Sequence, residues 1–440
     1  MSRCVHRGVV ALRAVYVGAV PTARGAALTA CVDIGSTWTK AALVERGTGR
    51  LLDTRQAPTT TEDVVAGVLA ATAGWTVPLV ACSSAGGGLR LAVVGYEELI
   101  SAEAGHRAAL SAGARVVHVA AGRLDAAALA ALAASAPDIV LLAGGTDGGD
   151  ATVLRANAAA LAGWGRPVPV VLAGNAAVRD EVAAVLRAVD VPVVATANVL
   201  PDIGELDPEP ARAAIREVFL THVIGGDRLS ADPRLRRWVR AVTPDAVLDG
   251  VAVLARLRAD AEVPGALVVD VGGATTDVHC VPAADAEQAT LARAAVGVPA
   301  RRRTVEGDLG VAAGADALRA AAAAEGLAPP GDDPLALGEA AAVVALRRHL
   351  RAEAGYGPGG ASARSVGLVV LSGGVFRHGD PAAVAAVVAR VAADRGGAGG
   401  VLAGAQVVVD TRYVLAAAGL LADDDPDAAA GLLAELLSAR

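Results

Sequence analysis

The chain holds one lysine, Lys40, among 39 Lys and Arg residues, and only 2% of its 440 residues are aromatic. Arginine replaces lysine well on a solvated surface but poorly where a compact ammonium must sit among phosphate oxygens, because the guanidinium is wide and planar. The lone lysine therefore marks a position to inspect. Cysteine is scarce too: Cys4, Cys31, Cys82 and Cys280 lie far apart and form no CxxC pair. That spacing argues against a disulfide framework, a zinc site or an iron–sulfur cluster, and it fits a reducing cytoplasm. Long hydrophobic runs are missing, although mean hydropathy is +0.48. No uncharged apolar run reaches the roughly 18 residues of a membrane span. The nearest, Ala126–Leu142, breaks at Pro137–Asp138. The hydropathy comes instead from alanine, roughly a quarter of the chain, and from 51 glycines, both above ordinary usage.

Positive charge is also in short supply. A net charge of −7 speaks against a nucleic-acid footprint. The only dense basic cluster, Arg301–Arg303, reads as a surface or partner contact. Conversely, Met1–Thr29 has no acidic residue, and Arg7, Arg13 and Arg24 interrupt its apolar part. It lacks the clean hydrophobic core of a signal peptide. It reads as a disordered extension over 1–28, with the folded body beginning near Leu28. A soluble, acidic, cytoplasmic protein without a membrane span is expected.

The length suits two or three domains. From Leu28 the pattern is strand (Leu28–Ile34), turn (Gly35–Thr39), two further strands (Ala41–Val44 and Leu51–Pro58) and a helix over Thr61–Ala73 capped by Thr60 or Thr61. Short apolar strands at Pro78–Cys82, Val116–Ala120, Ile139–Leu142, Val168–Leu172 and Val191–Ala195 alternate with alanine-rich helices at Asp125–Ala134, Asp150–Ala162 and Asn175–Ala188. Buried strands alternating with helices predict α/β layering. After a more polar stretch, Thr196–Asp249, the opening pattern restarts at Ala266–Val271 with a turn and the strand Val278–Val281. Each half also carries an apolar strand ending in Gly-Gly, Leu141–Gly145 and Val369–Gly374, so the two halves read as a weak internal duplication. The expected division is a first lobe over 29–215, a helical connection over 216–264, a second lobe over 265–405, and a C-terminal strand and helices over 406–440 packing back on the lobes.

Three motifs carry chemistry. In Asp33-Ile34-Gly35-Ser36-Thr37-Trp38-Thr39-Lys40 an Asp at a strand end precedes a tight hairpin of Gly and hydroxyls, whose backbone N–H groups can surround phosphate oxygens. A carboxylate there suits hydrated Mg2+, which prefers one or two carboxylates plus water and phosphate. Lys40 returns toward the same place along the second strand. Asp270-Val271-Gly272-Gly273-Ala274-Thr275-Thr276-Asp277 repeats the arrangement, its glycines letting backbone approach an anion. Two such loops in separate lobes form a clamp able to close on a triphosphate. Leu371-Ser372-Gly373-Gly374-Val375, a strand end opening a helix, can seat a flat base and sugar.

Two phosphate loops and a later Gly-Gly motif, in this order across duplicated lobes, resemble the actin/Hsp70/sugar-kinase ATPase superfamily. Within it, Asp33–Lys40, Val269–His279, Thr304–Gly310, Ser83–Leu89, Leu141–Asp150 and Asn198–Pro201 with Ile203-Gly204 resemble the glutamate mutase L (MutL) family over about residues 29–420. The resemblance implies two RNase H-like lobes with a nucleotide cleft between them. It also implies an ATP-dependent reactivating chaperone of an adenosylcobalamin-dependent mutase, of glutamate mutase or aminomutase type, that releases damaged cobalamin. ATP and Mg2+ are the expected cofactors. Asp33 and Asp270 would hold the Mg2+ shell, and Asp277 or Asp270 would orient the attacking water. Gly35, Gly272 and Gly273 would shape the loops, and Ser36, Thr37, Thr275 and Thr276 would donate to the phosphates. Lys40 would offset phosphate charge, and Gly373, Gly374 and Val375 would line the adenosine side. Two departures are the Arg-rich stretch Leu235–Arg240 and the N-terminal extension. Thr304–Gly310 and Thr146–Asp150 read as polar loops of open role, and His279 as a strand residue rather than a catalyst.

The main rival is a small-molecule kinase of the same fold, which needs a catalytic base that the sequence does not single out. A polymerising scaffold, an activator of radical dehydratases (which needs clustered cysteines) and a hydantoinase-like hydrolase are weaker. Tight cobalamin binding by the chain itself is not expected, since Asp277-Val278-His279 is followed by Pro282 where a D-x-H-x-x-G motif has Gly.

Overall fold

A computed structural model describes residues 27–438 except 61, 86–88, 97–113, 204, 225–228, 284–300, 313, 355–365 and 395–403. Most of the Met1–Thr29 stretch, Gly86–Gly88 and Gly204 therefore lie outside the described residues. Strands β1 (Leu28–Ile34), β2 (Trp38–Glu45) and β3 (Leu51–Pro58) form an antiparallel meander, and β4 (Leu79–Ser83) adds parallel to β1. The chain then leaves to build a second sheet from β5 (Arg90–Gly95), β6 (Arg115–Ala121), β7 (Ile139–Leu142), β8 (Val170–Leu172) and β9 (Val193–Ala195), every pair parallel. It returns with β10 (Val239–Val242), parallel to β4, to give the order β10-β4-β1-β2-β3. The last sheet is β13 (Arg302–Glu306), β12 (Thr276–Val281), β11 (Ala266–Val271), β14 (Leu368–Ser372) and β15 (Gln406–Val409), in that order.

The first and last sheets share one topology. An antiparallel meander is followed by two strands added in parallel on the far side of its first member, the 3-2-1-4-5 order of an RNase H-like lobe. The duplication is real, but the equivalence drawn from the Gly-Gly ends is corrected. The partner of Val369–Gly374 is β4 with the residues after it, whereas Leu141–Gly145 ends a strand of the inserted parallel sheet. Three strands escape sequence reading. Arg90–Gly95 and Val239–Val242 are short, and Arg302–Glu306 hides behind its charge. That basic cluster turns largely inward: Arg302 is buried, the Arg303 side chain is 6% exposed and pairs with Asp277 at 2.6 Å, and the half-exposed Arg301 pairs with Asp249. The stretch 216–264, read as a helical connection, contributes the edge strand β10 to the first sheet.

Alternation along the strands decides what each sheet faces. Val32 and Ile34 turn to the core beneath the first lobe, while Cys31 turns to a core that also holds Val268, Val370 and Val408 of the last sheet. Val269 and Val271 turn to the second lobe's own core. Between the two lobe sheets lie the helices Thr243–Leu257 and Leu415–Leu421, each following the last strand of its sheet. They cross backbone to backbone. A Cβ at Gly419 would fall on the carbonyl oxygen of Ala246, and one at Gly250 on that of Leu415. Small residues at the crossing make this approach possible. The final helix, Pro426–Ser438, docks on the β2–β3 turn, where Gly49 (φ +69) and Gly431 meet backbone of the other segment and Arg46 bonds Asp425 at 2.9 Å.

Helix starts follow capping chemistry. Asp63, rather than Thr60 or Thr61, accepts from Val65 N at 3.0 Å, and Asp125 and Asp380 cap the helices at Ala126 and Pro381. Among the described residues no helix is long and apolar enough to cross a membrane.

Candidate functional site

The same alternation that points Cys31 and Val268 inward points Asp33 and Asp270 inward too, two residues further on, from the ends of β1 and β11. Across each hairpin the register sets a partner: Asp33 opposite Lys40, and Asp270 opposite Asp277. The lobes thus present the same position as an ammonium in one and a carboxylate in the other. Both turns close alike. Gly35 N donates to Trp38 O at 3.1 Å and Gly272 N to Thr275 O at 2.9 Å. A Cβ would press to 2.7 Å on Trp38 O at Gly35 and to 2.9 Å on Thr275 O at Gly272, so both turns exclude a side chain there.

Asp33 is buried and heavily engaged. Its Oδ1 accepts from Thr243 Oγ1 at 2.6 Å and faces the buried Cys82 thiol at 3.6 Å, while Oδ2 meets Lys40 Nζ at 3.4 Å. Lys40 in turn lies 3.6 Å from the centroid of the Tyr413 ring, a cation–π contact reaching from the segment after β15 to the first lobe. Tyr413 takes a left-handed backbone (φ 56). That turn is held by buried Asp410, whose carboxylate accepts from the N–H groups of Arg412, Val414 and Leu415. Burial, with the Asp270 and Asp33 carboxylates nearby, pushes the Tyr413 phenol well up.

Asp270 stands beside Ser372 in register and accepts its hydroxyl. Burial pushes its carboxyl up to about 6; Lys40 opposes this, and the like charges of Asp277 and Asp33 reinforce it. Asp33, Lys40, Asp270 and Asp277 therefore form one electrostatic group drawn from both lobes. Asp277 is held by Arg303 at 2.6 and 3.0 Å and accepts from Thr275 Oγ1 at 3.3 Å.

Gly373 (φ 129) adjoins this group: a Cβ there would fall on Val271 O, so only glycine lets β14 pass β11 here. Gly374 opens the helix Gly374–Arg377, and Val375 packs against Gly338. Ser36 and Thr37 are exposed on their turn. Gly273 keeps open space over its backbone, with Ala312 Cβ the nearest neighbour at 3.6 Å. Thr276 differs from its neighbour Thr275: it is fully buried and its hydroxyl donates to Leu309 O at 2.7 Å. The Thr304–Gly310 stretch backs this second loop. Val311 and Ala312 donate to Gly272 O and Gly273 O, and Glu306 and Asp308 are both tied to Arg348. The Thr146–Asp150 loop follows β7 of the inserted sheet, where Asp147 is bound by Ala176 N and Asn198. His279 is buried beside Arg303 and His349, and burial holds its imidazole well below its usual value.

Sequence reasoning missed Thr243, Cys82, Arg303 and Tyr413. Cys82 was findable, since it occupies the register position that Ser372 holds in the second lobe. Arg377 was missed as well; it crosses the cleft to Thr54 Oγ1 at 3.3 Å. With Arg377 and Lys40 in its wall, the space beside Asp33 amounts to about 10 Å³, room for about one water.

Two duplicated 3-2-1-4-5 sheets, a pair of crossing helices between them and matched aspartate hairpins across a cleft define a two-lobed α/β protein of the actin, Hsp70 and sugar-kinase type. The model of the family described as MutL protein matches residues 29–334 and 331–437, and the chain belongs to that family. It is 37% identical over 293 residues to Protein MutL of Clostridium tetanomorphum, covering 64% of this chain and 63% of that protein. The match thus spans less than two thirds of that relative's length. Among solved structures, a carbohydrate kinase from Novosphingobium aromaticivorans is 15% identical with a TM-score of 0.32, covering 94% of this chain and 99% of that one. A PilM–PilN type IV pilus biogenesis complex is 15% identical at a TM-score of 0.27, covering 93% and 97%. The fold assignment rests on strand order, not on these distant likenesses.

Proposed function

We propose that this protein is an ATP-dependent reactivating chaperone of an adenosylcobalamin-dependent mutase, of glutamate mutase or aminomutase type, releasing damaged cobalamin. The observation that carries the nucleotide half is the meeting of Asp33, Lys40, Asp270 and Asp277 from two equivalent hairpins. The mutase half rests on membership of the MutL family.

The residues fit magnesium. The Asp33 carboxylate adds to the charge that pushes the Asp270 carboxyl up, and a cation held between the two would relieve that repulsion. No cluster of three or more ligating side chains exists among the described residues; water and phosphate would complete the shell. Magnesium would supply charge screening for the phosphates. Asp33 and Asp270 would hold it, and Lys40 would leave the Tyr413 ring to meet phosphate oxygens. The turn amides of Gly35–Thr37 and Gly272–Thr275, with the hydroxyls of Ser36, Thr37 and Thr275, would cradle them. Asp270, with a carboxyl near 6, or Asp277 would accept a hydrogen bond from the attacking water. Gly373, Gly374 and Val375 would border the adenosine. Because the space beside Asp33 holds about one water, entry requires the lobes to part, and the Gly250–Gly419 crossing is where they would turn. Opening and closing of a partner-bound cleft is the motion that would expel a trapped cofactor.

The test is MgATP binding and turnover by the purified protein beside Asp270→Ala, with a cobalamin-inactivated glutamate mutase or aminomutase present and cobalamin release followed. ATP-dependent release that disappears in the variant supports the reading. Turnover without release from either mutase moves the weight to a small-molecule kinase, and no nucleotide binding refutes the reading.

A further inference from the structure

The two inward aspartates are held by different means. In the second lobe the register sets Ser372 of β14 beside Asp270, and the serine hydroxyl bonds that carboxylate from within the same sheet. In the first lobe the equivalent place beside Asp33, on β4, belongs to Cys82. A thiol is a weak donor, and Cys82 Sγ stays 3.6 Å from Asp33 Oδ1. The strong donor comes from one strand further out. β10 runs parallel to β4 with Val242 opposite Ser83, and the next residue, Thr243, opens the helix Thr243–Leu257. Its hydroxyl reaches past the small Cys82 and donates to Asp33 Oδ1 at 2.6 Å, with both residues buried.

The turn that carries Thr243 is itself anchored. Pro244 lies in the first turn of the helix, where its fixed φ suits a helix start. Asp245, buried, accepts from Arg212 at 3.2 Å and from Arg216 at 2.7 Å, both on the helix Glu209–Val218. Being short, buried and charge-assisted, the Thr243 bond selects one rotation of the Asp33 carboxylate. Oδ1 is committed to the hydroxyl, and Oδ2 faces Lys40 Nζ at 3.4 Å. A carboxylate fixed in advance loses less freedom when it takes up a cation.

We propose that Thr243 is the positioning residue of the first-lobe metal ligand, resting on the role proposed above for Asp33 in holding magnesium. Its hydroxyl keeps the Asp33 carboxylate turned so that Oδ2 is presented to the cation. It also ties that carboxylate to the helix that crosses between the lobes, whereas Asp270 is tied to a strand of its own sheet.

Thr243→Val and Thr243→Ser separate this role from packing. Valine keeps the shape and loses the donor; serine keeps the donor and loses a methyl. Calorimetry of the full chain follows binding of MgATP and, with a chelator present, of metal-free ATP. Thr243→Val should bind MgATP about tenfold more weakly than wild type, the worth of one hydrogen bond to a charged group. Its binding of metal-free ATP should stay within about twofold, and Thr243→Ser should stay within about threefold of wild type for both. In urea, without nucleotide or metal, the valine variant should unfold at a lower midpoint than the serine variant, because a buried carboxylate oxygen loses its partner. Wild-type affinity for MgATP in Thr243→Val, or a greater loss in Thr243→Ser than in Thr243→Val, overturns the assignment and leaves nucleotide binding standing. An equal loss with and without metal overturns it too, since Thr243 would then serve the pocket rather than the metal ligand. Wild type that binds MgATP no more tightly than metal-free ATP, or binds neither, takes the magnesium reading down together with this one.

Discussion

Replacing Asp270 by Asn should stabilise the protein at neutral pH while removing a group the site needs. The ordinary carboxylate value of 3.8 becomes about 6 in the folded state, chiefly through burial and secondarily through Asp277 and Asp33. Between these values the native state binds a proton that the unfolded chain releases. Asp270 therefore favours folding fully below about pH 4, and this is lost as pH rises through 6. At pH 7 the ionised carboxylate opposes folding by about 3 kcal/mol, taking 1.36 kcal/mol per pH unit of displacement. Asn is nearly isosteric, keeps the hydrogen bond with Ser372 and carries no charge. Urea denaturation of wild type and Asp270→Asn at intervals from pH 4.5 to 7.5 measures the difference. The variant's advantage should be small at pH 4.5 and grow toward about 3 kcal/mol at pH 7. An advantage independent of pH, or a variant less stable than wild type at pH 7.5, would refute the argument that burial, with Asp277 and Asp33 nearby, holds the Asp270 carboxyl up.

Lys40→Arg should bind MgATP no better than Lys40→Ala, both at least about tenfold weaker than wild type by calorimetry, because a fork cannot replace a point ammonium; rescue by Arg would contradict this. Gly419→Ala should cost about 1–3 kcal/mol, as overpacking does, since its Cβ lands on Ala246 O; an unchanged urea midpoint would show that the helices can spread freely. Thr276→Val should cost about 1–3 kcal/mol by orphaning the buried Leu309 carbonyl while leaving MgATP affinity alone, and Thr275→Val should do the reverse. Equal effects from the two in both assays would mean that both hydroxyls serve one purpose.

The hairpins were legible because their spacing encodes their geometry. An Asp at a strand end, a four-residue turn of Gly and hydroxyls, and a second polar residue seven positions on dictate the Asp33–Lys40 and Asp270–Asp277 register. The inserted sheet was not legible as a separate body. Val140, Val171 and their neighbours are buried on both faces as in any central parallel strand, and nothing in such a run says which sheet it joins. β10 was masked by flanking arginines at Arg234, Arg236 and Arg237. Tyr413 and Thr243 reach the cleft only because each follows the last strand of its sheet, a placement that depends on strand order. Charge misled at Arg303, where a partner, Asp277, makes burial tolerable.

The interrupted first sheet also has a consequence for synthesis. β1 to β4 emerge early, but β4 has no outer neighbour until residues 239–242 arrive, after the whole parallel sheet has been made. The seat on the β2–β3 turn stays bare longer still, until the helix Pro426–Ser438 is delivered. A nascent chain therefore carries an unpaired apolar strand edge and an uncovered turn through most of translation, with long-range contacts as the last to form. Chains stalled or cut before residue 239 should be prone to edge-to-edge association, while the inserted parallel sheet, closed within residues 90–195, can settle as it emerges.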